Sequence, residues 1–200
     1  MQIIVLAGGL STERDVSLSS AAGICRTLVE KGHDAFLLDV FMGLENAPEN
    51  LEDVFTLQDH GLEIVKNIST EEPDLEAVKA SRPDQSDCFF GPNVIELCRL
   101  ADITFLGLHG GEGENGKLQA SFDLLGIKYT GPDSLGCAVA MHKGVAKQIF
   151  LDVWLNNKFI FVMERFLQSL CIFFICIYNI NSDTGTTRAR FNNNRKCQTK

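Results

Sequence analysis

The stretch Gln2-Ile3-Ile4-Val5-Leu6-Ala7-Gly8-Gly9-Leu10-Ser11-Thr12-Glu13-Arg14-Asp15 decides how this sequence folds. Its apolar run does not alternate with polar residues and ends at two glycines. That is the pattern of a strand buried on both faces of a parallel sheet, followed by a sharp turn. Ser11 is expected to cap the next helix, with Glu13 and Asp15 in first turns where the helix dipole favours acids. Val16, Ile24 and Leu28 are expected on its core face, and Gly32 after Lys31 should end it. Ala35–Phe41 reads as the second strand, reached by a right-handed crossover.

Further along, residues 42–90 are acidic and contain Pro48, Pro73 and Pro83. An irregular segment with a short helix or hairpin is expected there. Regular structure returns with a helix over Asn93–Leu100 and a third strand over Ile103–Leu108. A glycine-rich loop, His109–Gly116, then leads to a helix over Lys117–Leu125 that stops at Gly126. Ile127–Tyr129 reads as a fourth short strand before the Gly131-Pro132 turn, and Ser134–Met141 and Lys143–Phe150 read as helices. The fold class that follows is α/β, an open parallel sheet with helices on both faces. Binding is expected at the carboxyl ends of its strands.

Composition limits the function. The 200 residues carry a net charge of −8, which argues against a nucleic-acid partner held by phosphate neutralisation. Seven cysteines show no zinc or thioredoxin spacing. No basic region precedes an apolar stretch at the start, so the reading is a reduced, cytoplasmic protein. The charge is uneven: residues 1–150 hold 11 basic and 23 acidic residues, whereas 151–200 hold seven and three. All five prolines lie in the first part. We therefore divide the chain into a domain over 1–150 and a divergent tail over 151–200. In the tail, Glu164, Arg165 and Gln168 interrupt the apolar segment Phe159–Ile180, so no membrane span is expected.

Two loops leave strand ends, Gly8–Arg14 and His109–Gly116. The first lacks the third glycine of a dinucleotide fingerprint and the Gly-Lys-Ser/Thr of a Walker loop. Its glycines read either as a tight strand-to-helix turn or as an opening for a ligand to reach the backbone. Glu13 is either a dipole-stabilising acid or a carboxylate aimed at a ligand amine. His109 is a ligand donor or a satisfied loop histidine. Glu112, Glu114 and Asn115 suit a hard metal or a solvated turn. Lys143 could reach a phosphate or stand free at the surface. No serine lies in a Gly-x-Ser-x-Gly elbow.

Ala7-Gly8-Gly9-Leu10-Ser11-Thr12-Glu13-Arg14-Asp15-Val16-Ser17 resembles the N-terminal signature of D-alanine–D-alanine ligases, members of the ATP-grasp superfamily. Leu108-His109-Gly110-Gly111-Glu112-Gly113-Glu114-Asn115-Gly116-Lys117-Leu118-Gln119 resembles their second signature. Tyr129-Thr130-Gly131-Pro132 and Ala140-Met141-His142-Lys143 continue the likeness to about residue 150. The resemblance implies a cytoplasmic ligase of peptidoglycan synthesis, and so of cell-wall biogenesis and cell shape. Such an enzyme uses ATP and Mg2+ to join two D-alanines through an acyl phosphate, or uses D-lactate or D-serine as second substrate. By position, Glu13 matches the glutamate that binds the first D-alanine's amino group and counts as catalytic. His109 matches a substrate-side histidine, and Lys143 a lysine on the ATP phosphate side. A homodimer through this domain is also implied.

Two departures from the pattern shape the expectation. Members of that family usually carry Asp where His142 stands, so a cap orienting Lys143 is expected to be lost. Beyond residue 151 the likeness ends in a tail of the kind a frameshift produces, and the family's metal ligands and ATP-covering loop have no counterparts there. This chain alone is thus expected to be inactive. A non-catalytic α/β binding or dimerisation module derived from the ligase is the alternative.

Overall fold

In a computed structural model, which describes residues 1–65 and 72–155, three parallel strands form one sheet. They are β1 (Gln2–Ala7), β2 (Asp34–Asp39) and β3 (Ile103–Leu106), in the order β2-β1-β3. Ile4 of β1 registers with Phe36 on one side and Thr104 on the other. β1 is therefore central, which explains its unbroken apolar run. Ile3, Val5 and Ala7 enter one core, and Ile4 and Leu6 enter the other.

Helix α1 (Arg14–Glu30) covers the first face with Leu18, Ala21, Ala22 and Cys25. Ala21 is fully buried, and a Cβ on Gly107 would lie 3.1 Å from its own Cβ, so small residues at both positions set the helix-to-sheet distance. Val16, expected inside, is instead half exposed. The helix begins at Arg14, and its inward stripe runs through Ser17, Leu18, Ala21, Ala22 and Cys25. Its end agrees with expectation: Lys31 is the C-cap and Gly32 follows at φ 83°.

The opposite face is covered by α3 (Val94–Leu100) and α4 (Lys117–Leu125). Val94, Leu97, Leu118 and Phe122 are all within 1% of full burial there. At roughly 1.5–3 kcal/mol for each fully buried large side chain, this layer is a main source of stability. The acidic segment forms 3-10 turns at Leu51–Thr56 and Leu62–Ile64 and a short helix, α2 (Leu75–Ser81). Val54 and Phe55 from the first turn complete the core. No hairpin occurs among the described residues of that segment.

Several expected boundaries change. β2 starts at Asp34 and stops at Asp39, and β3 stops at Leu106, ahead of the His109–Gly116 loop. The fourth strand expected at Ile127–Tyr129 is a single parallel bridge, Thr104 to Tyr129. Thr130 diverts the chain there: its Oγ1 accepts the Leu106 N–H at 3.1 Å, so a side chain takes the next ladder position. Helices α5 (Ser134–Met141) and α6 (Lys143–Leu155) follow, and α6 passes beyond residue 150. Val145, Ile149, Phe150 and Leu151 on α6 are each about two-fifths exposed. The apolar segment Phe159–Ile180 and most of the tail lie outside the described residues. Among those described, no helix is long and apolar enough to cross a membrane.

Candidate functional site

The chain runs from β1 to β2 on one side and later to β3 on the other. The strand order thus reverses between β1 and β3, where open α/β sheets bind ligands at the strands' carboxyl ends. Both site loops emerge at this point. They are joined by Ser17, which is fully buried. Its hydroxyl accepts the Gly8 N–H at 3.0 Å and donates to Gly107 O at 2.8 Å. Ser11 adds a second tie, its Oγ donating to His109 O at 2.6 Å. The expectation that Ser11 caps α1 is therefore corrected. Glu13 occupies the N-cap position, and Ser11 is directed across to the other loop.

The Gly8-Gly9 corner is shaped from within. Gly8 has φ 73°, and a Cβ there would lie 2.5 Å from Asp39 Oδ2. Asp39, at the end of β2, accepts N–H bonds from Phe41 at 2.9 Å and Met42 at 3.1 Å through Oδ1. Gly9 N–H points to the same oxygen at 3.4 Å. Arg14 closes the arrangement: its guanidinium pairs with Asp39 and donates to Gly9 O at 2.7 Å. Gly8 makes room for this buried ion pair, and Gly9 packs toward Val40, Leu108 and Phe89, so the corner is a tight strand-to-helix turn.

Glu13 is different. Its side chain makes no capping bond, and among the described residues it has no hydrogen-bond or ion-pair partner. Its carboxylate lies against Gly110 of the second loop, where a Cβ would stand 2.8 Å from Glu13 Oε2. Gly110, at φ 69°, is what allows the two loops to approach. His109 turns its Nε2 toward Ser20 of α1, 3.1 Å from the hydroxyl. Glu13 thus lies against Gly110, and His109, the residue before it, lies against Ser20. Lys143 stands apart as the exposed first residue of α6, without an ion pair among the described residues. The cap expected to be lost beside it is retained. His142 Nδ1 accepts the Val145 N–H at 3.2 Å, so an imidazole nitrogen replaces a carboxylate oxygen.

Among the described residues no group of three or more His, Cys, Asp or Glu side chains gathers as a metal site. Glu112 pairs with Lys117 at 3.3 Å, and Asn115 Oδ1 accepts the Lys117 N–H at 3.0 Å, so this turn is spent on its own helix. These residues do not fit a magnesium site. Tyr129 of the third motif donates to Asp123 at 2.8 Å. Burial and that carboxylate push its phenol up to about 12, so it remains a donor.

Sequence reasoning missed Arg14, Asp39, Ser17 and Arg82. Arg82 is buried, pairs with Asp84, donates to Phe90 O at 3.2 Å and lies 4.8 Å from the centre of the Phe41 ring. It knots residues 82–90, whose Phe89 packs 3.5 Å from where a Cβ on Gly9 would be. The core face read from Val16, Ile24 and Leu28 gave no sign of Arg14 or Ser17, and it is the structure that turns both inward.

Over 151 residues the chain is 45% identical to the D-alanine--D-alanine ligase of Lacticaseibacillus casei (strain BL23), covering 76% of this chain and 42% of that protein. It is 48% identical over 156 residues to the D-alanine--D-alanine ligase of Pediococcus pentosaceus, covering 76% and 43%. A crystal structure of D-alanine--D-alanine ligase from Bacillus anthracis complexed with ATP matches at 21% identity and a TM-score of 0.45, covering 75% of this chain and 36% of that one. The chain spans about two-fifths of the length of the curated relatives it matches. Residues 2–132 match the model of the D-ala D-ala ligase N-terminus, and the chain belongs to that family.

Proposed function

We propose that residues 1–150 form the substrate-side domain of an ATP-dependent D-alanine–D-alanine ligase of peptidoglycan synthesis, working in the cytoplasm, with residues 151–200 a divergent tail. In this reading the Glu13 carboxylate takes the ammonium of the first D-alanine, and His109 borders the same substrate. Lys143 belongs to the ATP phosphate side. A homodimer through this domain is part of the proposal. The carrying observation is Glu13 itself, an acid without an internal partner held against the glycine of a second loop at the switch point. A carboxylate so held pairs with an ammonium by charge-assisted hydrogen bonds. The arrangement leaves Glu13 exposed and without an internal ion pair, because the neighbouring Arg14 is already engaged by Asp39.

ATP and Mg2+ supply activation of the carboxylate and charge neutralisation in such a ligase. The described residues do not form the metal site. In the same proposal this chain alone does not turn over ATP. The experiment has two arms. Phosphate release is followed with ATP, Mg2+ and D-alanine beside an intact ligase, and D-alanine is titrated into isotope-labelled chain. The expected result is no release above background, with D-alanine shifting the Glu13, His109 and Gly110 amides in wild type but not in Glu13→Gln. Turnover abolished by Glu13→Ala would overturn the inactivity. Absence of any D-alanine shift would favour the non-catalytic module.

A further inference from the structure

We propose that Arg14, acting through Asp39, is a positioning residue for the Glu13 carboxylate. The proposal rests on the reading of Glu13 as the ammonium-binding group. Arg14 is 8% exposed and Asp39 3%, so this is a buried pair in a chain whose other described ion pairs each have at least one partner substantially exposed. Breaking a buried pair leaves an uncompensated charge, so the pair is held tightly in one geometry. Its groups reach both ends of the first loop. Asp39 takes the space beside Gly8 and accepts from the start of the segment after β2, while Arg14 holds Gly9 O. The loop between Gly9 and Arg14 is thereby anchored at both ends by one ion pair.

Glu13 is the last residue of that loop. Its own side chain has no internal bond to fix it, and its N–H reaches Ser11 Oγ only at 3.3 Å. Its carbonyl accepts the Ser17 N–H at 2.9 Å, and the residue that follows it is fixed through its guanidinium on Gly9 O and Asp39. The direction in which the carboxylate meets Gly110 therefore follows from Arg14. A guanidinium suits the task because its planar fork donates to Gly9 O and Asp39 together, which a lysine ammonium does less well.

The test uses the whole 200-residue chain, isotope-labelled. One readout needs no ligand: the shift of the Gly110 amide when Glu13 is changed to Gln, measured in wild type and in Arg14→Lys. The second is D-alanine affinity. We expect the Glu13→Gln effect on Gly110 to vanish in Arg14→Lys while cooperative melting persists, and D-alanine binding to weaken roughly tenfold, as a displaced binding group predicts. Should Arg14→Lys fail to melt cooperatively, Asp39→Asn carries the same readouts, since its amide oxygen can keep the Phe41 and Met42 bonds. A folded Arg14→Lys with an unchanged effect on Gly110 and unchanged D-alanine affinity would overturn the proposal. If wild type binds no D-alanine, the reading of Glu13 fails, and the Gly110 effect alone then decides whether Arg14 positions it.

Discussion

Ser17 Oγ donates to Gly107 O at 2.8 Å across 90 residues of chain, and the same oxygen accepts the Gly8 N–H. A single hydroxyl therefore satisfies backbone groups at the carboxyl ends of β1 and β3, where the two site loops begin. It does so from the inward stripe of α1, with no water needed in a fully buried position.

Replacing Ser17 with Ala leaves one buried N–H and one buried carbonyl without their partner. We expect a loss of about 1–3 kcal/mol of stability. Urea denaturation measures it. A midpoint equal to wild type would mean the two strand ends are held together by something other than this bond.

Two glycine substitutions should move stability in opposite directions. Gly8→Ala places a methyl at φ 73° and 2.5 Å from the Asp39 carboxylate, and about 3 kcal/mol should be lost. Gly23 lies inside α1, with nothing within 4 Å of an added Cβ. Gly23→Ala should gain about 0.5–1 kcal/mol from helix propensity alone. Thermal melts of both variants check the pair, and a destabilised Gly23→Ala would show that α1 packs differently from the structure.

At the start of α6 the cap depends on an unprotonated ring nitrogen. His142→Ala removes it and should cost about 1 kcal/mol, whereas His142→Asp restores an oxygen acceptor and a charge suited to the helix dipole. Hydrogen exchange at the Val145 amide reads the effect locally: faster in His142→Ala, and no faster than wild type in His142→Asp. Equal exchange in all three would mean the Nδ1 contact does not form.

Burial pushes the Cys98 thiol up to about 12 and the Cys25 thiol up to about 11, from an ordinary 9.0. Below pH 9 both states of the chain hold these protons, and their contribution is constant. Above it the unfolded chain ionises first, so stability should fall by up to about 1.4 kcal/mol per pH unit for each thiol until its folded value is reached. Urea midpoints at about pH 8 and about pH 10.5 test this, and Cys98→Ala should flatten the slope. Exposed Cys88 should react with thiol reagents well before either buried thiol.

Much of the fold was legible because its signals are local. The apolar run of β1, the glycine after α1 and the glycine ending α4 each act within a few residues, and those elements were read within a residue or two. Segments that depend on distant partners were not. Val16 looked apolar and inward, but the phase of α1 is set by Arg14 and Ser17 facing the sheet. Ile127–Tyr129 looked like a strand, but the Thr130 hydroxyl took a ladder position. Ser11 looked like a cap, yet its partner is the carbonyl of His109.

The sequence by itself determined the α/β class, the two glycine-rich loops and the residues Glu13 and His109 within them, because strand runs, turns and signature motifs are written in neighbouring positions. Only the tertiary structure decided that these loops meet at the reversal between β1 and β3, that Gly8 makes room for Asp39, and that Arg14 rather than Glu13 carries the internal charge pairing. A buried ion pair joins residues 25 positions apart. Its geometry exists only after the sheet has brought the two strand ends together, and desolvation then makes either partner costly to leave unpaired.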